Sequence, residues 1–272
     1  MMRPIARVLC LAVTPVLMHI QQALAQTDYY NIDAGRPVTI EDAYPVERFA
    51  FELQAAPLRL ERQRGGVYQW SVEPEIAYGI LRRTQLEIGF PLAYVDNGLG
   101  NRSLGLAGID VSMLHNLNVE TETLPAIGLA ADVTLPVGSH AGNRTYVSGK
   151  AIVTRTFRWA RIHANGRYTF GSAPESEADR GLEELSRWTA GVAIDRAIPL
   201  KSMLMIGEVF ATQPLGDGGV EWNAGAGLRY QWSPRLALDA GLGKAFSGDD
   251  NSWHFTLGAA YAFAIRALMP TR

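Results

Sequence analysis

The sequence predicts an all-β chain: a transmembrane, antiparallel up-and-down β-barrel of about twelve strands, of the outer-membrane type, behind a cleaved signal peptide. Three observations predict it. Period-2 alternation recurs in segment after segment, with no helical period and no long apolar run competing with it after the N-terminus. The breaks between segments alternate in length, short near 82, 121, 159, 199 and 233 and longer near 63, 100, 141, 178, 216 and 249. On most segments the apolar face runs for about 9–11 residues without a polar interruption, the length of a tilted membrane-spanning strand, and aromatic residues often sit at its ends.

The first residues read as an export signal. Arg3 and Arg7 form a basic start, Val8 to Met18 an apolar stretch too short to span a bilayer, and Ala23-Leu24-Ala25 a small-x-small cleavage site that makes Gln26 the first mature residue. Cys10, the only cysteine, lies in that apolar stretch, so the mature chain has no disulfide and no thiol chemistry. Residues 26–46 are polar and proline-punctuated and are expected to form a periplasmic leader. They precede a barrel over 47–265 and a tail over 266–272. With 47% hydrophobic residues, 19% charged and a formal net charge of −2, nothing suggests nucleic acid.

The elements follow in order. Phe49, Phe51 and Leu53 alternate first. Tyr68, Trp70, Val72, Ile76 and Tyr78 then oppose Gln69, Ser71, Glu73 and Glu75, and Leu86, Ile88, Phe90, Leu92 and Tyr94 oppose Gln85, Glu87 and Gly89. After a loop at 96–105, Ile109, Val111, Met113 and Leu117 oppose Asp110 and Ser112, and Ile127 to Val137 alternate against Gly128, Ala130, Asp132 and Thr134. Beyond a loop at 138–145, Val147, Ala151, Val153 and Phe157 oppose Ser148, Lys150 and Thr154. Ile162, Ala164, Tyr168 and Phe170 face away from Arg161, His163, Asn165, Arg167 and Thr169. The longest break, 171–186, is acidic and reads as a solvated external loop, with an inward constriction or a surface-partner site as the alternatives. Trp188 to Ile194 follow, then 200–213, whose two faces are both apolar. Trp222, Ala224, Ala226, Leu228, Tyr230 and Trp232 alternate against Glu221, Asn223, Gly225, Gly227, Arg229 and Gln231. Leu236 to Leu242 come next, and Trp253, Phe255, Leu257, Ala259, Tyr261 and Phe263 end the pattern.

A sheet in a bilayer must close on itself, because lipid offers no partner to its edges. Such a barrel carries aromatic girdles at its two interfaces, here Tyr68, Trp70, Tyr78, Trp188, Trp222, Tyr230, Trp232, Trp253, Tyr261 and Phe263. The polar face is thinly populated, with glycine and alanine beside isolated charges, which suits a narrow lumen better than the outer face of a soluble lipocalin-like or double-sheet protein. The lumen-lining candidates segregate: Glu73, Glu75, Glu87, Asp110 and Asp132 on one arc, and Lys150, Arg161, His163, Asn165, Arg167 and Arg187 on the next, with Arg229 further round. They form either a selectivity field across a pore or a paired network filling it. His163 beside Asn165 invites a hydrolase reading with Ser148 as nucleophile, but Ser148 is predicted in the lumen, away from lipid, and G-x-S-x-G is absent. His115, His140 and His254 are isolated, without metal-ligand spacing; no metal, cofactor or enzymatic activity is expected.

GLAADVTLPVGSHAG (128–142), Lys150, RIHANGRYTFG (161–171) and the leader GRPVTIEDAYPVERFAFE (35–52) resemble the family of outer-membrane transporters typed by the meta-pathway phenol-degradation protein. The resemblance covers most of residues 35–263 and implies a barrel for passage of small, often aromatic or apolar, compounds, with no catalytic residues. The tail AIRALMPTR departs from the usual terminal aromatic of such barrels. The expected protein is thus a channel of the bacterial outer membrane, monomeric, with membrane lipid, a small solute and the barrel-assembly machinery as partners. The alternatives are a closed structural or surface-interaction barrel and a phospholipase-like barrel hydrolase. The leader either plugs the lumen or lies loose in the periplasm.

Overall fold

The computed structural model describes residues 31–62, 68–96, 102–175, 185–216, 218–247 and 252–269. The expected signal peptide at 1–25, leader residues 26–30, the centre of the acidic loop at 176–184 and the tips of several other loops lie outside them.

The described residues form one antiparallel sheet of fourteen segments: β1 (Ala50–Arg62), β2 (Tyr68–Leu81), β3 (Thr84–Gly89), β4 (Leu92–Asp96), β5 (Arg102–Leu106), β6 (Ile109–Asn118), β7 (Ala126–Leu135), β8 (Tyr146–Thr156), β9 (Arg161–Phe170), β10 (Ser186–Ala197), β11 (Met203–Pro214), β12 (Glu221–Ser233), β13 (Leu236–Ala245) and β14 (Trp253–Ala264). Each pairs with its sequence neighbour except where a strand is broken, and β1 pairs with both β14 and β2, which closes the ring. β3 and β4 both pair with β2, so they are halves of one stave interrupted at Phe90 and Pro91. β5 and β6 are halves of the next, interrupted at Ala107 and Gly108. Fourteen segments therefore make twelve staves. Proline lacks the N–H a ladder needs, which accounts for the break at Pro91. The expected loop at 96–105 is shorter than its composition suggests, because 102–106 pairs with 92–96.

The outer surface decides the environment. Ile88, Met113, Leu129, Val192, Met205, Trp222, Leu242 and Leu257 are exposed, while the opposite parity carries Ala77, Ile152, Ala193, Leu204 and Ala260, all buried. An apolar belt around a closed sheet belongs in lipid. Aromatics mark both ends of the staves: Tyr68, Trp70, Trp188, Trp222 and Trp253 at the end with the longer loops, and Tyr78, Tyr230, Trp232, Tyr261 and Phe263 at the end with the short turns. Phe51 stacks on Tyr78 at 4.4 Å and on Phe263 at 5.3 Å, so aromatic packing spans the seam where the first and last strands meet. Below it, Met269 of the tail packs against Val46, Ala50 and Ala77.

Candidate functional site

The lumen is occupied by the chain's own leader. Ile32, Arg36, Val38, Ile40, Asp42, Ala43 and Val46 are all buried inside the barrel. The leader folds back on itself through Asp42, whose backbone N–H bonds the carbonyl of Ile32 and whose carboxylate accepts the N–H groups of Ile32 at 3.0 Å and Tyr44 at 2.9 Å. Burial pushes the Asp42 carboxyl up to about 8, against the opposing pull of Arg161 and the two N–H donors. Tyr44 is raised to about 12 by burial and by Glu120, whose carboxylate it contacts at 3.3 Å.

A backbone threaded through a barrel has no strand beside it, so its polar groups need side-chain partners. They find them in steps around the wall. Glu208 on β11 accepts the N–H groups of Thr39 at 2.8 Å and Ile40 at 2.9 Å. Asn165 on β9 brackets Glu41, accepting its N–H and donating to its carbonyl. Thr154 on β8 accepts the Ala43 N–H, Asn116 on β6 donates to the Ala43 carbonyl, and Gln85 on β3 accepts the Val46 N–H. Apolar contact adds to this, because Ile32, Val38 and Ile40 pack against Ala193, Leu204, Ile206 and Phe210. That is why 200–213 showed no parity: the lumen-facing side of β11 is apolar where it meets the leader.

Two glycines make room. A Cβ on Gly241 would lie 2.0 Å from the Pro37 carbonyl oxygen, and one on Gly227 would lie 2.6 Å from the Pro37 ring. Beside them sits a buried charge cluster. Arg36 contacts Asp33 at 2.5 Å, Asp239 at 3.2 Å and Glu52 at 3.5 Å, while Arg229 contacts Asp33 at 3.2 Å and Asp239 at 3.6 Å. Lys150 pairs with Glu41 at 2.5 Å. Arg161 binds Asp195 through two nitrogens, at 3.1 and 2.8 Å, and approaches Asp42 at 3.8 Å. Several basic lumen residues thus hold the leader, directly or through an acid.

The acidic wall does not touch the leader in that way. It faces a cavity of about 260 Å³ between the leader and β2, β3, β6 and β7, lined by Glu73, Glu75, Glu87, Asp110 and Asp132, with Asp33 and Glu41 on the leader side and Lys150, Asn165 and Arg167 across from them. Seven carboxylates and two cations line this chamber. Asp110 accepts the Thr134 hydroxyl at 2.6 Å, Glu87 accepts the Gln85 amide at 3.2 Å, and Arg167 lies 3.8 Å from Asp132.

His163 is fully enclosed, its ring nitrogens 3.0 Å from the Thr154 hydroxyl and 2.8 Å from Asp195. Ser148 bonds Thr169 and Arg167, not the histidine. Arg187 stands apart from the other lumen candidates: it donates to the carbonyls of Thr169 and Gly171 at the long-loop rim and lies over the Tyr168 ring. Sequence reasoning missed Glu52, Gln54, Glu208 and Asp239. The β1 register shifts between Gln54 and Leu58, so the inward parity passes from Glu52 and Gln54 to Arg59 and Glu61. The odd spacing from Leu53 to Leu58 was the available signal. Among the described residues no group of three or more His, Cys, Asp or Glu is arranged to hold a metal ion.

A closed twelve-stave barrel with a lipid-facing exterior and a leader threaded through its lumen defines an outer-membrane β-barrel protein. Residues 34–263 match the family described as "Putative MetA-pathway of phenol degradation", and the chain belongs to that family. Among solved structures it is similar to an outer membrane channel from Pseudomonas putida F1, with 12% identity, 85% of this chain and 100% of that chain covered, and a TM-score of 0.58. It is also similar to the KdgM porin, at 12% identity over 79% of this chain and 99% of that one, TM-score 0.48. The CymD monoaromatic hydrocarbon channel gives 11% identity over 80% and 89%, TM-score 0.43. No curated protein matches the chain.

Proposed function

We propose that the protein is a passive outer-membrane pore of narrow bore, whose conducting path is the acid-lined chamber left beside the leader. The observation that carries this is the cavity itself: with the leader docked and its backbone groups bonded, about 260 Å³ of polar space remains on one side of the lumen. That is the scale of a small-molecule site rather than a wide porin channel. Its lining has a net excess of carboxylates, so the pore favours cations among charged solutes. The family description supports small aromatic compounds as the physiological cargo.

The test is the current of the purified protein in a planar bilayer under a salt gradient. A small, cation-selective conductance that loses its selectivity in Glu73→Gln/Glu75→Gln/Asp110→Asn is expected. A barrel that passes no current would instead be the closed, structural alternative. The hydrolase alternative is disfavoured because both His163 nitrogens are engaged and the ring is enclosed. Lipase activity abolished by His163→Ala would revive it.

A second path is favoured by one observation. The register shift in β1, Pro74 in β2, the break at Phe90 and Pro91 and the break at Ala107 and Gly108 lie on adjacent staves beside the chamber. An apolar solute would leave sideways there, into the bilayer. Lateral exit predicts uptake of a neutral aromatic by vesicles whose ion conductance is negligible. The barrel is further proposed to be a monomer inserted by the barrel-assembly machinery, which native gel mobility and depletion of that machinery test.

A further inference from the structure

We infer that the short-turn rim of β8–β13 is a binding surface for anionic phospholipid headgroups of the periplasmic leaflet. Three consecutive turns build it: 157–160, 198–202 and 234–235. With the strand ends beside them they carry Arg158, Arg196, Lys201 and Arg235, and the stretches FRWA, RAIPLKS and WSPR contain no acidic residue. Arg158, Arg196 and Lys201 are exposed and Arg235 half-buried, and none of the four makes an ion pair among the described residues. The turns are neighbours. Asp195 pairs with Arg161 across β10 and β9, and the Gln231 N–H bonds the Ser202 carbonyl, joining the second turn to the end of β12.

The occupant follows from where the charges sit. Arg196 has the outward parity of Val192 and Ile194, and Trp232 that of Leu228 and Tyr230. Phe157, Trp159, Ile198, Leu200 and Trp232 are exposed between the cations. Basic groups interleaved with apolar ones, continuous with the lipid-facing wall, fit the boundary between acyl chains and headgroups. A soluble acidic partner would need no such apolar interleaving. The next turn of the same rim, 119–125, is different: it carries Glu120 and Glu122, and these are engaged at the end of β8. There Glu120 pairs with Arg155 at 3.6 Å and accepts the N–H and hydroxyl of Thr156, and Arg155 also donates to the carbonyls of Thr121, Glu122 and Leu124. At the long-loop end, Arg102 and Arg144 are paired with Asp96 and Glu175.

Native mass spectrometry of the detergent-purified protein, offered equal amounts of phosphatidylglycerol and phosphatidylcholine, tests this. Wild type should retain phosphatidylglycerol preferentially. Each basic residue near an anionic surface strengthens attachment roughly fivefold, so the pairs R158Q/R196Q and K201Q/R235Q should each reduce the preference by at least about tenfold. R82Q/R83Q on the other arc should keep it, and heat-modifiable gel mobility would show that all variants are folded. Equal retention of the two lipids by wild type overturns the inference, as does an undiminished preference in both arc variants. Binding of a soluble acidic peptide that competes out the lipid would overturn it too, in favour of a protein partner.

Discussion

Single side chains decide whether the leader stays in the lumen. Glu208 accepts two leader N–H groups with one carboxylate oxygen. Hydrogen bonds to a charged group contribute about 1.5–3 kcal/mol each, so losing both in Glu208→Ala should weaken leader docking by about 3–6 kcal/mol and raise conductance. Gly241 tests the same contact sterically. A valine there cannot coexist with the Pro37 carbonyl at its present position, so Gly241→Val should expel the leader while leaving the barrel heat-modifiable. Asp42 supplies a pH dependence. Its carboxyl is raised from 3.8 to about 8 when docked, so docking takes up a proton across that interval. A raised carboxyl favours the docked state increasingly as pH falls from about 8 towards 4, and contributes nothing above. Arg161 and Asp33 act on it in opposite senses, the cation lowering it and the acid raising it. A nitroxide on Ala34→Cys should therefore be more mobile at pH 9 than at pH 6, and Asp42→Asn, which resembles the protonated acid, should flatten the difference.

At the level of elements, most of the barrel was legible and its contents were not. The alternation of Trp222 to Trp232 reads directly because one side of β12 meets lipid and the other a lumen, and the environments differ at every step. The same logic fails on β11, where Leu204, Ile206 and Phe210 are apolar because they cover Ile32, Val38 and Ile40. Parity is readable only when the two faces see different media. The leader's docking is unreadable for another reason. It rests on backbone groups meeting single side chains 39 to 169 residues away, as with Val46 and Gln85 or Thr39 and Glu208, and no periodicity records such a pairing. The charge segregation was visible, but its meaning divided: Lys150, Arg161 and Asn165 contact the leader, the first and last from the chamber wall, while Glu73, Glu75, Glu87, Asp110 and Asp132 face the chamber. The break in the third stave was not read, because the apolar parity continues through it as Ile88, Phe90 and Leu92; Pro91, which removes a ladder bond, was the available signal.

For the whole molecule, the wall and the leader have separate tasks. Inter-strand hydrogen bonds and lipid hold the barrel closed without reference to its contents, whereas the leader fills most of a lumen that glycines have opened for it. The barrel should therefore fold and resist unfolding by detergent without residues 27–46, running faster unboiled than boiled. The conductance of that deletion variant, with the signal segment retained for export, is the most direct measurement. Removing the leader should raise single-channel conductance several-fold over the intact protein and weaken its cation preference, because Arg161 and Lys150 would lose Asp42 and Glu41 and face the open pore. Equal conductance in the two proteins would contradict a leader that occupies the path.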